Sequence, residues 1–480
     1  MENLKKLVRG KKIISVICNQ WGDTGKGKFS DYFSCYWADV VARGTGGNNA
    51  GHTVILNGKE KVFHILPSGI GHDEKGVISL LGNGMVIDLK VLLEELAEMD
   101  AEGMTYKNLM ISQDAQVIMP YHISQDLKKN QSQKKGGIGS TGRGIGPCYM
   151  DKIARRGIQI GDLYDEKILK EKLKKIQEYY PEEKFNVDVL VERLKPYADK
   201  IESYVKDTVA EMHRFREAKK KILLEGAQGL LLSIEHGSYP YVTSSDCSLN
   251  GTATGVGLNS KDIDLAIGIV KYPFMTRVGG GPLPTELGGN KSEKYCSEEG
   301  HEKEFELKKY EISYEIIEGE IKYDLQDKKI IELMNSKDEF KQGVGIRLAA
   351  NEYGATTKRP RRTGWTDCVA AKYARNLNGV KMVLTKPDCL NGLEEFKLCF
   401  GYKVDGQKSV VKDFSKNKDF LYSVKPVYKT YKGYGDLRKV KEYKKLPTGF
   451  KKSIDDFEKF TGAEVIAVST GPARDDLILR

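Results

Sequence analysis

Short apolar runs of strand length alternate along this chain with longer stretches in which apolar residues return every three or four positions. Residues 13–18, 77–81, 109–112, 222–224, 380–385 and 465–468 are the runs, each bounded by polar or glycine-containing segments. They are too short for buried helices and predict strands covered on both faces. Residues 54–56 and 62–65 flank Asn57-Gly58, a pair that tolerates positive φ and predicts a hairpin. Helical spacing is expected over 29–37 and through the charged stretch 162–221, where Pro181 and Pro196 are the punctuation. Strands interleaved with helices predict an α/β fold with a large, mostly parallel sheet flanked by helices. Residues 289–350 differ, being rich in Lys and Glu with short alternating runs such as 312–321. They are expected to form a surface insertion or small subdomain within a single domain spanning 1–480.

Composition narrows this little. Forty per cent hydrophobic and 30% charged residues suit a water-soluble protein, and no apolar run reaches 18 residues, so no membrane partner is expected. The basic first twelve residues lack the apolar core of a secretory signal. Eight cysteines are scattered without a CxxC pair, and the histidines do not cluster near them, which argues against zinc or a disulfide framework. A reducing, cytoplasmic setting is the expectation. The net charge of +10 is spread along the chain without a nucleic-acid motif. It fits a lysine-rich surface or a pocket for anionic small molecules, and no nucleic-acid partner is expected.

The first chemical signal follows the 13–18 run. Gly22-Asp23-Thr24-Gly25-Lys26-Gly27-Lys28-Phe29 matches G-x-x-x-x-G-K but carries Phe29 where a P-loop has Ser or Thr. Gly22, Gly25 and Gly27 let backbone N–H groups approach phosphate, and the following helix start adds its dipole. Lys26 and Lys28 supply charge to the phosphates. The hydroxyl that normally ligates Mg²⁺ is missing, and Asp23 is the oxygen ligand available in its place.

The 380–385 run ends in Thr385-Lys386-Pro387-Asp388. A carboxylate there accepts both N1–H and the 2-amino group of guanine, a pair adenine lacks, while a lysine stem lies along the base. The 465–468 run leads into Ser469-Thr470-Gly471-Pro472, and loops at strand carboxyl ends are where open α/β sheets bind ligands.

Four more segments concentrate Gly, Ser, Thr and Arg. Gly46-Gly47-Asn48-Asn49-Ala50-Gly51-His52-Thr53 carries an acid–base candidate in His52. The segment from Gly139 to Pro147, which includes Thr141, offers hydroxyls and N–H groups to a phosphate, with Arg155-Arg156 following. Thr243-Ser244-Ser245 gives three successive hydroxyls. Gly354-Ala355-Thr356-Thr357-Lys358-Arg359-Pro360-Arg361-Arg362 sets four cations beside two threonines, and arginine forks suit a carboxylate. Together these features describe an enzyme that uses GTP and Mg²⁺ to drive a condensation on a second, phosphorylated ligand.

Taken in order, these motifs, with Glu225-Gly226-Ala227-Gln228-Gly229 and Arg362-Thr363-Gly364-Trp365, resemble the adenylosuccinate synthetase family from about residue 12 to 480. The resemblance implies that GTP phosphorylates O6 of inosine monophosphate (IMP) and that the amine of L-aspartate then displaces phosphate. It implies Asp23 as the base at N1 and as a Mg²⁺ ligand with the Gly51 carbonyl. It assigns His52 and Lys26 to the transferring phosphoryl group and Gln228 to the 6-oxyanion. Asn49, Thr141, Thr243 and Arg155 would hold the IMP phosphate, with Arg155 coming from the second subunit of a homodimer. Thr356, Thr357, Arg359 and Arg361 would hold aspartate and the ribose side of IMP. Lys386, Asp388, Ser469 and Gly471 would hold guanine.

The chain departs from the family pattern at Thr24 (usually Glu), Lys358 (usually Gly) and Asp246 (usually Asn). A related phage ligase acting on a guanine nucleotide lacks the loop aspartate, so Asp23 favours IMP. A GTP-binding switch without chemistry would have no use for the additional anion loops.

Overall fold

Ile13–Cys18 (β1) is buried along its whole length, and that fixes its place in the centre of the molecule. In this computed structural model, which describes residues 2–56, 58–132, 141–317, 319–354 and 358–480, nine further strands join it in one sheet. They are Val40–Arg43 (β2), Ile78–Leu81 (β3), Leu109–Ser112 (β4), Val205–Lys206 (β5), Ile222–Glu225 (β6), Leu265–Lys271 (β7), Lys381–Thr385 (β8), Glu464–Ser469 (β9) and Leu477–Leu479 (β10). The order is β10-β9-β8-β7-β1-β6-β2-β3-β4-β5, with every pairing parallel except β9–β10. Chain direction across the sheet therefore reverses at β1, and the loops leaving β1, β2, β6, β7, β8 and β9 gather at one edge. In such sheets that edge is the ligand crevice.

The helix Lys26–Tyr36 shows how local pattern becomes packing. Phe29, Tyr32 and Phe33 fall on one stripe and pack with Ile14, Val16 and Val41. Each such buried side chain contributes about 1.5–3 kcal/mol of transfer free energy. Phe29 thus faces the core with 2% exposure, so position 29 has no access to a phosphate-bound metal.

Two expectations change. Pro196 does not punctuate the 162–221 stretch but lies inside the helix Val187–Ile201. That helix buries Leu190, Val191, Leu194 and Ala198, and this tertiary face outweighs the roughly 3 kcal/mol that an interior proline costs. Residues 289–350 are divided in character. The hairpin Tyr314–Ile317/Glu320–Tyr323 exposes Ile316 and Ile317, as a surface segment would. The helices Lys328–Met334 and Glu339–Ala349 instead bury Ile330, Met334, Val344, Ile346 and Leu348 in the largest core cluster. The strand β7 and the antiparallel pair Glu395–Lys403/Lys425–Lys432 were not legible as strands.

Candidate active site

The loop after β1 is shaped by backbone conformation. Gly22, Asp23 and Gly25 have φ of 88°, 51° and 83°, which turns the chain sharply into the helix at Lys26. Gly27 lies against the hairpin strand His52–Leu56: a Cβ there would meet the Thr53 carbonyl oxygen at 2.6 Å. Glycine at 27 therefore brings His52 against the phosphate loop.

His52 is buried. Its Nδ1 is hydrogen-bonded to the Glu225 carboxylate at the end of β6, while its Nε2 is buried with no partner among the described residues. Glu225 also accepts from the Ser68 amide at 2.9 Å and the Ser68 hydroxyl at 2.7 Å. Burial lowers the His52 pKa, with Glu225 opposing, so the ring is poised with one nitrogen anchored and one available. The sequence places Glu225 in the motif 225–229 but assigns it no role of its own. Its position at a strand end, three residues before Gln228, was the available signal.

Lys26, 5% exposed, donates to the Gln228 carbonyl at 2.5 Å. The Gln228 amide in turn donates to Asn49 Oδ1 at 3.0 Å, and Asn49 Nδ2 donates to Thr243 Oγ1 at 3.5 Å. Gln228 itself has φ 44°, and Gly46 leaves room for its side chain, since a Cβ there would meet Gln228 Oε1 at 2.9 Å. Lys26, Gln228, Asn49 and Thr243 thus form one connected group, although 217 residues separate the first from the last.

Lys28 donates to Ser469 Oγ, the Gly471 carbonyl and the Asp476 carbonyl, each at 2.8 Å. Burial lowers its pKa to about 8. Thr385 Oγ1 donates to the Thr24 carbonyl at 2.9 Å, which fastens the 385–388 loop to the phosphate loop. Asp388, half-buried in that loop, has its pKa raised by burial. Lys386 sends its ammonium to Glu352 Oε1 at 2.7 Å.

Asp23 Oδ2 lies 2.9 Å from Arg361 Nε, and Arg361 Nη1 donates to Glu352 Oε2 at 2.6 Å. Arg361 therefore donates a hydrogen bond to one carboxylate and lies within ion-pair distance of a second, its Nε making no hydrogen bond among the described residues. Arg359 is half-buried nearby, and its carbonyl accepts from the Gly354 amide at 2.9 Å. Thr356 and Thr357 lie outside the described residues, as do Asn57, Gly139 and Ser140. Thr141 is half-buried, and Arg155 is exposed with φ 60°, apart from the rest of the site.

Two of the three departures find a physical place. Asp246 accepts from Ser233 Oγ, the Ser248 amide and Ser248 Oγ at 2.8–2.9 Å, so its charge is spent on a turn. Lys358 holds φ 55°, a conformation that favours glycine. Thr24 is fully buried, and nothing in the structure explains its choice over glutamate.

Among the described residues no three His, Cys, Asp or Glu side chains converge to hold an ion by themselves. Asp23, with a 30% exposed carboxylate at the crevice, fits Mg²⁺, a hard ion that takes one or two protein oxygens and completes its shell with phosphate and water. No helix among them is long and apolar enough to cross a membrane.

The chain is similar to known proteins over nearly its whole length. The family described as adenylosuccinate synthetase matches residues 15–478. The adenylosuccinate synthetase of Alkaliphilus metalliredigens is 37% identical over 477 residues, covering 97% of this chain and 98% of that protein. The fully ligated adenylosuccinate synthetase of Plasmodium falciparum superposes with a TM-score of 0.80 at 31% identity, covering 98% of this chain and all of that one. The succinoaminodeoxyadenylate synthetase of cyanophage S-2L, bound to dGMP and dATP, shares the fold at a TM-score of 0.54 and 18% identity, with 98% and 96% covered.

Proposed function

The chain belongs to the adenylosuccinate synthetase family, and we propose from that premise how its residues join L-aspartate to IMP with GTP, giving adenylosuccinate, GDP and phosphate. The observation that carries the assignment is Gln228. Its carbonyl accepts from Lys26 of the phosphate loop, and its side chain donates to Asn49 of the presumptive IMP group. A residue shared by both groups is where a phosphoryl group passing between two nucleotides belongs.

O6 of IMP is a poor leaving group until phosphorylated. Asp23 removes the N1 proton, which makes O6 a nucleophile toward the γ-phosphorus. The Gln228 amide supports the charge on O6, and Lys26 and His52 Nε2 face the transferring phosphoryl oxygens. Burial favours the neutral His52 ring, so Nε2 donates once the ring takes up a proton, whose charge Glu225 on Nδ1 then balances. Asp23 and the Gly51 carbonyl would hold Mg²⁺, which would neutralise phosphate charge when bound. The aspartate amine then attacks C6 and releases inorganic phosphate. Arg359, Arg361, Thr356 and Thr357 receive the aspartate. Lys386, Asp388, Ser469 and Gly471 hold guanine, and Lys28 with Gly22, Gly25 and Gly27 holds the GTP phosphates.

Asn49, Thr141 and Thr243 take the IMP phosphate, with Arg155 supplied by the partner of a cytoplasmic homodimer. Arg155 stands exposed beside Ile153 and Met150, themselves 78% and 55% exposed, which suits a subunit contact.

The test follows the purine ultraviolet absorbance in a mixture of protein, IMP, L-aspartate, GTP and Mg²⁺, with each component omitted in turn. The expected result is a change that requires all of them. Product with dGMP but none with IMP overturns the substrate assignment, and silence with both overturns the reaction.

A further inference from the structure

Glu352 is fully buried, yet it carries three cations on its two oxygens. Lys271 and Lys386 each lie 2.7 Å from Oε1, and Arg361 Nη1 lies 2.6 Å from Oε2. Lys271 is itself fully buried at the end of β7, where it also donates to Thr276 Oγ1 at 2.6 Å. Burial pulls Lys271 down to about 8 even with the carboxylate beside it. Although burial opposes ionisation of Glu352, Lys271, Lys386 and Arg361 hold it far below the usual carboxylate range.

Stability alone is a weak reason for such a cluster, because buried charges lose in desolvation much of what they gain in attraction, and apolar residues would fill the space as well. What distinguishes this one is where its arms lead. Lys386 belongs to the loop that presents Asp388 to the base, and it reaches Glu352 from a left-handed φ of 63°. Such a conformation is strained for a residue with a Cβ and persists where the surroundings demand it. Arg361 leads the other way, its Nε 2.9 Å from Asp23 Oδ2. The Arg361 amide also donates to the Glu352 carbonyl at 3.0 Å, so the two residues close the neck of the loop between them. Three short contacts thus run from the base-reading loop to the catalytic carboxylate: Lys386 to Glu352, Glu352 to Arg361, and Arg361 to Asp23.

We propose that Glu352 is a positioning residue that couples recognition of the nucleotide base to the placement of Asp23. A base seated at Asp388 fixes Lys386 on Oε1. The carboxylate then keeps Oε2 on Arg361, and Arg361 keeps Asp23 aligned for the N1 proton. A base that does not engage the loop leaves Lys386 free to draw the carboxylate away, and the loss falls on turnover. Discrimination between GTP and ATP accordingly resides partly in kcat and only partly in binding. This inference rests on the ligase reading and on the guanine assignment above.

The test is steady-state kinetics of Glu352→Gln with GTP and with ATP, at saturating IMP, aspartate and Mg²⁺. The amide keeps size but removes the charge that holds three cations in register and turns one of the two accepting oxygens into an N–H donor. The expected outcome is a kcat with GTP lowered about tenfold or more, a KM for GTP changed by less than about threefold, and a GTP:ATP ratio of kcat compressed about tenfold. Equal falls in kcat with both nucleotides, or a loss carried wholly by KM, overturn the coupling and leave a structural cluster. Near-ultraviolet circular dichroism checks folding. Should Glu352→Gln not fold, Arg361→Lys, which keeps the charge but cannot bridge two carboxylates, is expected to compress the same ratio, and an unmoved ratio is again fatal. Failure of the unaltered protein to make product with GTP is a different result, because it removes the ligase reading itself.

Discussion

Glu225 grips His52 through Nδ1 and leaves Nε2 without a partner among the described residues. A carboxylate behind an imidazole fixes which nitrogen faces the substrate and favours the protonated ring. Glu225→Gln keeps the hydrogen bond and removes the charge. The expected effect is a fall in kcat of about 10–100-fold, the range typical when a carboxylate orienting a functional histidine is altered, with KM for IMP nearly unchanged. An unaltered kcat would remove His52 from the phosphoryl step.

Lys28 gives a pH dependence whose sign follows from its burial. Its pKa is lowered to about 8, so the ammonium is present below that pH and lost above it. Affinity of the free enzyme for GTP is therefore expected to fall as pH rises through 8. Titration of a fluorescent GTP analogue between neutral pH and pH ~9 measures this. Lys28→Arg, charged throughout, should flatten the dependence, and a slope that survives the change would point to another group, Lys271 being the other lysine lowered to about 8.

Asp388 is the residue on which choice of guanine depends. Replacement by Asn removes the acceptor for one of two guanine donors and offers the base an N–H instead. The preference for GTP over ATP in kcat/KM should drop about 10–100-fold, the worth of one or two hydrogen bonds to a charged group. If selectivity is unchanged, the base is read elsewhere.

Lys358 sits at φ 55°, where a Cβ is strained. Lys358→Gly should raise the midpoint of urea denaturation, by about 0.5–1 kcal/mol in stability. A lowered midpoint would mean that the lysine side chain makes a contact worth more than the strain.

How much of this was legible beforehand depended on whether a residue's role was local. β1, the phosphate loop and the 385–388 loop announce themselves because glycine spacing and apolar runs are short-range patterns. β7 did not, since it carries Gly268 in its middle and glycine reads as a break. The structure supplies the reason for that glycine: a Cβ at 268 would meet Asn19 Nδ2 at 2.0 Å, so the strand yields space to the residue leading into the phosphate loop. Phe29 looked like a defect in a P-loop and is a core residue of the helix that follows. Glu352 was silent for another reason. A buried glutamate and an exposed one are the same letter, and only the cations brought to Glu352 by distant segments distinguish it. Arg361 was expected to await a substrate carboxylate, and the fold has already given it two.

The three contacts of Lys28 with Ser469, Gly471 and Asp476 bear on how the protein is made. The phosphate loop is synthesised long before the groups at 469, 471 and 476 that fix its lysine. Throughout translation the loop exists as sequence without its clamp. Nascent chains therefore lack the complete clamp on the phosphate-loop lysine until residue 476 has emerged. A chain cut short before residue 469 would keep the motif a search recognises and lack the site the motif denotes.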